Sequence, residues 1–340
     1  MGKKTVIISS VVIIAVFAIF FCVVLFAGNI NTRSGKYRSI FLTGNETWDE
    51  VKEILKKDSL LYSETSFDMA LGMIGRDKYP QCGRFDMEPG LGNRDFINRV
   101  AYGLANKTPL EIRLARYTTK VAAGLSRQLL ADSASIYDYL MQDSVLDSYG
   151  LEAKNSLAMF VRFKDRIRWC ASPEEVAACI RRNYDRFWTS DRLAKAKACG
   201  LTPAEVHVLA SIVEEETNNN EDRRMVAGVY MNRLKRGMPL QACPTARYAA
   251  GDFTLDRILA KHTRIDSEYN TYRNKGLPPG PIRIPTDASM DAVLNFVRHD
   301  YLYFCANPDF SGTHVYSRTF SQHRKVAAQY RRELDKRGIR

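Results

Sequence analysis

Residues Thr5 to Ala27 read TVIISSVVIIAVFAIFFCVVLFA, without one charged side chain. A helix of about 20 apolar residues crosses the hydrocarbon core of a bilayer, so this run is long enough to span one. A secretory leader has a shorter apolar stretch and ends at a small-residue cleavage site. Ala27-Gly28 is a poor version of that site. The run is therefore read as an uncleaved anchor, with a cleaved leader as the alternative. Lys3 and Lys4 precede it, which by the positive-inside rule puts residues 1–4 in the cytoplasm and the rest of the chain outside. Arg33, Lys36 and Arg38 on the far side work against that orientation.

A chain of 340 residues leaves ample length beyond the anchor for a buried core. Its formal net charge of +12 suits an anionic lipid surface or wall polymer, or is simply a basic surface. No nucleic-acid fingerprint accompanies it. Of seven cysteines, Cys82, Cys170, Cys179, Cys199, Cys243 and Cys305 lie beyond the anchor. An even number permits disulfides without identifying them, and no spacing suits a zinc site. Most are expected to be small buried residues. There is no internal repeat, phosphate loop or Gly-x-Ser-x-Gly elbow.

Between residues 39 and 118 short strands and helices alternate, the mark of a small α+β unit. A strand is expected at Ser39–Thr43 and helices at Trp48–Lys57, Phe67–Ile74 and Asn93–Ala105. The alternation in Glu111–Tyr117 predicts a second strand. Ala122–Met141 reads as one helix linking two parts, Phe160–Phe163 as a strand, and Ser172–Trp188 and Asp191–Cys199 as helices. Beyond Gln241 the pattern is loop-rich. It resumes with a helix from Asp287 to Arg298, a hairpin of Tyr301–Ala306 with Thr313–Ser317, and a charged helix from Thr319 to Lys336.

The stretch Thr202–Gln241 carries the chemistry. Thr202 is an N-cap, Pro203 takes the first helical position and Glu205 completes a capping box. At about 100° per residue, Val206, Leu209, Ile212 and Val213 gather on one arc. Glu216 follows Leu209 by seven residues and Ile212 by four, so it projects from that arc, whereas Glu214 and Glu215 fall beyond its edges. A carboxyl against apolar walls resists ionising, and a raised pKa suits a general acid near neutral pH. The alternative is a Glu216 solvated at a frayed helix end. A second helix, Glu221–Arg236, ends at Gly237 and places Asn232 and Arg233 among its apolar positions. Tyr269 and Asn270 beside the Pro/Gly-rich turn Gly276–Ile282 are good material for a sugar-binding wall, since tyrosine pairs a flat apolar face with a polar tip; a structural turn capped by aromatics is the alternative.

In order along the chain stand Leu209-Ala-Ser-Ile-Val-Glu-Glu-Glu-Thr217, Val229-Tyr-Met-Asn-Arg-Leu234, Gly237-Met238 with Leu240-Gln241, Pro244-Thr245, Tyr269-Asn-Thr-Tyr272 and Gly276-Leu-Pro-Pro-Gly-Pro-Ile282. Tyr301-Leu-Tyr-Phe304, His314 and His323 follow. Over residues 201–330 these blocks resemble the YceG-like (MltG) family of endolytic murein transglycosylases.

The resemblance implies an α+β fold: a transmembrane helix at 5–27, a small LysM-like α+β module at 35–118, a helical linker region opening the catalytic domain at 119–200, and a YceG-like catalytic domain with a helical core at 201–340. It implies a lyase of cell wall biogenesis that cuts peptidoglycan strands internally at the MurNAc–GlcNAc bond and leaves 1,6-anhydro-MurNAc ends, terminating nascent strands. The general acid/base is then Glu216, directly before Thr217, with Glu214 as fallback. Asn232, Gln241, Thr245, Tyr269 and Asn270 would contact substrate. No cofactor, metal or nucleic acid is implied. The location is the inner (cytoplasmic) membrane, and the partners are glycan strands and peptidoglycan synthases. The chain departs from the family at Cys243, where Asp usually precedes Pro-Thr, and around Arg162–Arg166. A catalytically weak peptidoglycan-binding scaffold of the same fold is the alternative these departures keep open.

Overall fold

The computed structural model describes residues 3–32, 38–75, 77–255 and 257–338. The chain forms two compact units. One comprises residues 1–110, 128–131 and 166–172; the other comprises 111–127, 132–165 and 173–340.

The first unit opens with helix α1 (Lys3–Phe26), and its segment Ile7–Phe26 is apolar and long enough to cross a membrane. Nearly all its side chains stand exposed, from Ile7 to Phe26, which water disfavours and lipid would accept. Strand β1 (Arg38–Leu42), helices α2 (Trp48–Lys57) and α3 (Glu64–Ile74) and strand β2 (Gly83–Met87) come next. β1 and β2 pair antiparallel with Ile40 opposite Phe85. Helix α4 (Asn93–Ala101) and strand β3 (Lys107–Glu111) complete the run. A box of Thr47 and Glu50 caps α2, whose Trp48, Val51 and Leu55 turn inward. With Ile40, Leu42, Phe67, Phe85, Phe96 and Ile97 they form a core of the unit's own. Buried Asn93 ties the end of α1 to it, donating to the Val24 carbonyl at 2.9 Å.

Two sequence expectations move here. The strand expected at Glu111–Tyr117 ends at Glu111 instead; Ala115 beyond it gives its carbonyl to the Ile284 amide, 2.8 Å away, rather than to a ladder. The helix expected to reach Ala105 stops at Ala101.

In the second unit the single helix expected over Ala122–Met141 is two, α5 (Thr118–Ser126) and α6 (Ser133–Leu140). Asp132 breaks it, because its carboxylate accepts from the Ala134 and Ser135 amides and caps a new helix. Helix α7 (Asp143–Ser148) and a 3₁₀ turn (Ala153–Met159) follow. Phe160–Phe163 is irregular, and the strand expected there appears one step later as β4 (Lys164–Arg168), paired with β3. Then come α8 (Pro173–Phe187) and α9 (Ser190–Cys199), the latter closed by Gly200 at φ +73°. At the centre lie α10 (Pro203–Glu216) and α11 (Asn220–Lys235).

The stretch after Gln241, expected as loop, contains helix α12 (Cys243–Ala250), started by Pro244. Short α13 (Ala260–Thr263), α14 (Asp287–Leu294), the antiparallel hairpin β5 (Tyr303–Ala306) and β6 (His314–Ser317), and α15 (Phe320–Lys336) end the chain. The core gathers Leu209, Ile212, Val213, Val226, Tyr230 and Val293 from α10, α11 and α14. Gly228 lets the chain close on α11: a Cβ there would stand 2.4 Å from the Val297 carbonyl oxygen.

Candidate active site

α10 begins as the sequence specifies. Thr202 accepts from the Glu205 amide and Glu205 accepts from the Thr202 amide, with Pro203 in the first turn. Its burial differs from the one-sided arc. Every residue from Val206 to Val213 is buried, so the helix is wrapped on all faces. The helix stops at Glu216, for Thr217 is extended at φ −156°. Glu214, Glu215 and Glu216 thus crowd the helix C-terminus, where the macrodipole disfavours negative charge. Each needs compensation, and steps of about 100° send the three in different directions.

Glu214 Oε2 accepts from Thr286 Oγ1 at 2.5 Å, from the Thr286 amide at 3.2 Å and from the Ser289 hydroxyl, with Arg223 at 3.9 Å. Burial raises its pKa, but the Ser289 and Thr286 bonds outweigh it and the net direction is down. Glu215 faces three guanidiniums: Arg116 at 2.9 Å, Arg283 in direct contact and Arg247 at 3.9 Å. Both carboxylates are held by several donors.

Glu216 is the exception. Its one hydrogen-bond partner among the described residues is neutral, the Tyr230 hydroxyl, which donates to Oε1 at 2.6 Å. Burial pushes its pKa above the ordinary 4.5; the Tyr230 bond and the fields of His314 and Arg247 pull it back, and Glu215 pushes it up again, leaving the net direction upward. Tyr230 is itself held rigidly, buried on α11 with its ring edge-on to Phe304 at 5.6 Å.

Glu216 lines a groove with a cavity of about 290 Å³. Arg233, Gln241, Cys243 and Tyr272 line it too, with an aromatic wall of Tyr303, Phe304, Phe320 and His323. Among its described lining residues Glu216 is the only carboxylate. Arg233 is buried and spends its donors on carbonyls, on Leu302 at 2.6 Å and Leu240 at 2.7 Å, which fixes the groove floor. Cys243 Sγ lies 3.2 Å from the Tyr272 hydroxyl. Next to the groove, Asp222 takes His314 Nδ1 at 2.6 Å and the Tyr316 hydroxyl at 2.5 Å, pinning the hairpin to α11. No cluster of three or more His, Cys, Asp or Glu among the described residues could hold a metal ion.

The residues singled out from sequence separate into two groups. Gln241 lines the groove and adopts φ +51°, a left-handed backbone that non-glycine residues rarely take. Tyr269 lines a second cavity, of about 250 Å³, with Tyr117, Tyr137 and Tyr248, and its hydroxyl donates to the Lys154 carbonyl. The remaining three are staples. Asn232 donates to the His299 and Tyr301 carbonyls at 2.6 and 3.0 Å. Buried Thr245 bonds the Ala242 carbonyl and the Thr271 hydroxyl, both at 2.8 Å. Buried Asn270 donates to the Ile265 carbonyl at 2.8 Å and accepts from the Tyr272 amide at 3.1 Å, which sets Tyr272 in the groove wall.

Sequence reasoning passed over Tyr230 and Tyr272 as site residues, although both stand inside the quoted blocks. Tyr230 read there as one more apolar position of its helix. The cysteines also differ from expectation: all seven are free, and only Cys179 is buried.

A carboxyl whose pKa burial pushes upward, at a helix end in an aromatic-walled groove, fits a single-acid site. Residues 41–329 match the YceG-like family, and the chain belongs to that family. It is 29% identical over 299 residues to an endolytic murein transglycosylase of Bacillus subtilis, covering 82% of this chain and 81% of that protein. An endolytic murein transglycosylase of Streptococcus pneumoniae is 34% identical over 161 residues, 46% of this chain and 28% of the longer pneumococcal protein. A YceG-like protein crystal structure from Listeria monocytogenes shares the fold at a TM-score of 0.57 and 22% identity, covering 86% of this chain and 99% of that one.

Proposed function

We propose that this protein is an endolytic peptidoglycan transglycosylase, a lyase that cuts glycan strands at the MurNAc–GlcNAc bond and leaves 1,6-anhydro-MurNAc ends. The observation that carries the assignment is Glu216: a carboxyl in the groove with a single neutral hydroxyl partner, while Glu214 and Glu215 are each held by several donors outside that groove's lining. Protonated, it gives its proton to the glycosidic oxygen as the C1–O bond breaks. The resulting carboxylate, held by Tyr230, takes the proton from the C6 hydroxyl as that oxygen bonds to C1. The proton lost in the first half returns in the second, and no water enters. Retaining and inverting glycosidases need a second carboxylate as nucleophile or as base for water. The groove has one, which suits a substrate that supplies its own nucleophile. Glu214, saturated with donors, is poorly suited to either proton step. Gln241 is the remaining groove candidate for direct sugar contact; Tyr269 would act from the second cavity, and Asn232, Thr245 and Asn270 by shaping the walls.

Helix α1 anchors the chain in the inner membrane in a single pass, with the residues that follow it on the external side. The exposed apolar surface of α1 and the two lysines at its start support this reading. Residues 35–118 serve as a LysM-like glycan-holding module, 119–200 as the linker region and 201–340 as the catalytic domain. Peptidoglycan synthases, whose nascent strands it would terminate, are the protein partners.

The test is mass spectrometry of defined glycan strands digested by wild type and Glu216→Gln. Anhydro ends from wild type and intact strands with the variant are expected. Reducing ends would make it a hydrolase, and no cleavage by wild type would make it a binding protein.

A further inference from the structure

Two thiols of the first unit meet although 88 positions separate them in sequence: Cys170 Sγ donates to the Cys82 carbonyl at 3.4 Å. The thiols also interact with each other. Burial and then contact with the Cys170 thiol push the Cys82 thiol up to about 12. Neither residue sits on a free loop. Cys82 directly precedes β2, and the Gln81 amide before it bonds the Val100 carbonyl at 3.1 Å. A Cβ added at Gly44 would stand 3.0 Å from the Cys82 nitrogen, so the neighbouring turn is packed against it.

Cys170 lies in the strap 166–172, by which the chain returns to this unit. The strap is held on the N-terminal side of the cysteine. The Trp169 ring packs on Phe41 of β1 at 5.0 Å, and its carbonyl accepts from the Leu130 amide at 2.9 Å. Arg166 donates to the Lys107 carbonyl at 3.0 Å. Both thiols are partly exposed, so an oxidant can reach them.

We infer that Cys82 and Cys170 are an oxidisable pair that closes into a disulfide, clamping the strap to the β1–β2 sheet. Its formation in cells rests on the external placement proposed above, since disulfides persist in oxidising compartments. The step needs a thiol oxidant, for which oxidised glutathione serves. One thiolate attacks the glutathione disulfide and expels one glutathione. The second thiolate attacks the mixed disulfide and expels the other. Two thiol protons and two electrons leave the protein, and one disulfide becomes two glutathione thiols. The bond closes a long loop in the unfolded chain, the case in which a cross-link constrains that chain most. Of the other cysteines outside the membrane helix, Cys179, Cys199, Cys243 and Cys305 belong to the second unit.

The experiment uses the full chain in detergent, exposed to oxidised glutathione, alkylated with N-ethylmaleimide and digested without reduction. A peptide joining Cys82 to Cys170 is expected, absent after dithiothreitol and absent from Cys82→Ser and Cys170→Ser. Reduction should lower the Tm of the oxidised wild type by several degrees and leave that of either variant unmoved. Recovery of both cysteines as alkylated thiols, or of Cys82 joined to another cysteine, overturns the pairing. The same mapping on cells quenched in acid separates the second premise. A pair joined in detergent yet alkylated in cells leaves the pairing intact and overturns the external placement.

Discussion

Tyr230→Phe tests the account of Glu216 most directly. The substitution keeps the ring and its edge contact with Phe304 and removes only the hydroxyl that donates to Oε1 at 2.6 Å. A hydrogen bond to a charged group contributes about 1.5–3 kcal/mol. This one strengthens as the carboxyl ionises, after it has protonated the leaving oxygen, so its loss is felt in the transition state rather than on binding. At about 1.36 kcal/mol per decade, kcat should fall roughly ten- to hundredfold with KM little changed.

The pH profile has a definite sign. The acid must carry its proton, so activity is lost as pH rises through the Glu216 pKa. The Tyr230 bond lowers that pKa, and deleting it raises it further. The basic limb of kcat/KM should therefore move to higher pH. The assay is the rate of anhydro-end formation on defined strands across pH, read by mass spectrometry. A variant with wild-type kcat and an unmoved limb, or a limb displaced to lower pH, refutes the reasoning.

Glu216→Gln should be more stable than wild type at neutral pH. The folded pKa lies above the ordinary 4.5, so stability falls as pH rises through the interval between the two values; the gap in Tm should close below about pH 4.5. Glu215→Ala leaves the Arg116, Arg247 and Arg283 guanidiniums, 13–25% exposed, without their shared carboxylate. Urea unfolding should show a loss of about 3 kcal/mol, the lower end for a broken buried pair because of that exposure. Gly228→Ala gains up to about 1 kcal/mol of helix propensity, but its Cβ meets the Val297 oxygen at 2.4 Å. Overpacking costs about 1–3 kcal/mol, so a net fall in stability is expected in the same measurement.

Local chemistry was legible wherever a few neighbouring residues decide the outcome. The capping box at Thr202, the glycine stop at Gly237 and the hairpin at 303–317 could be read because caps, turns and periodicity act within a turn or two of chain. Reading failed where a competing local bond or a distant segment intervened, as at Asp132 and beyond Glu111. α12 was missed although Pro244 stood at its start, because the turn-rich surroundings masked it.

The sequence by itself determined that one apolar helix begins the chain and that three glutamates end a capped helix. The roles of the three could not be read there, because a run of identical residues differs only in what each side chain meets. Tertiary structure decided those roles by bringing Thr286 and Ser289 to Glu214, three arginines to Glu215 and one tyrosyl hydroxyl to Glu216. A carboxyl's proton affinity is set by the charges and donors within a few ångströms of it, and here nearly all of those come from segments far away along the chain.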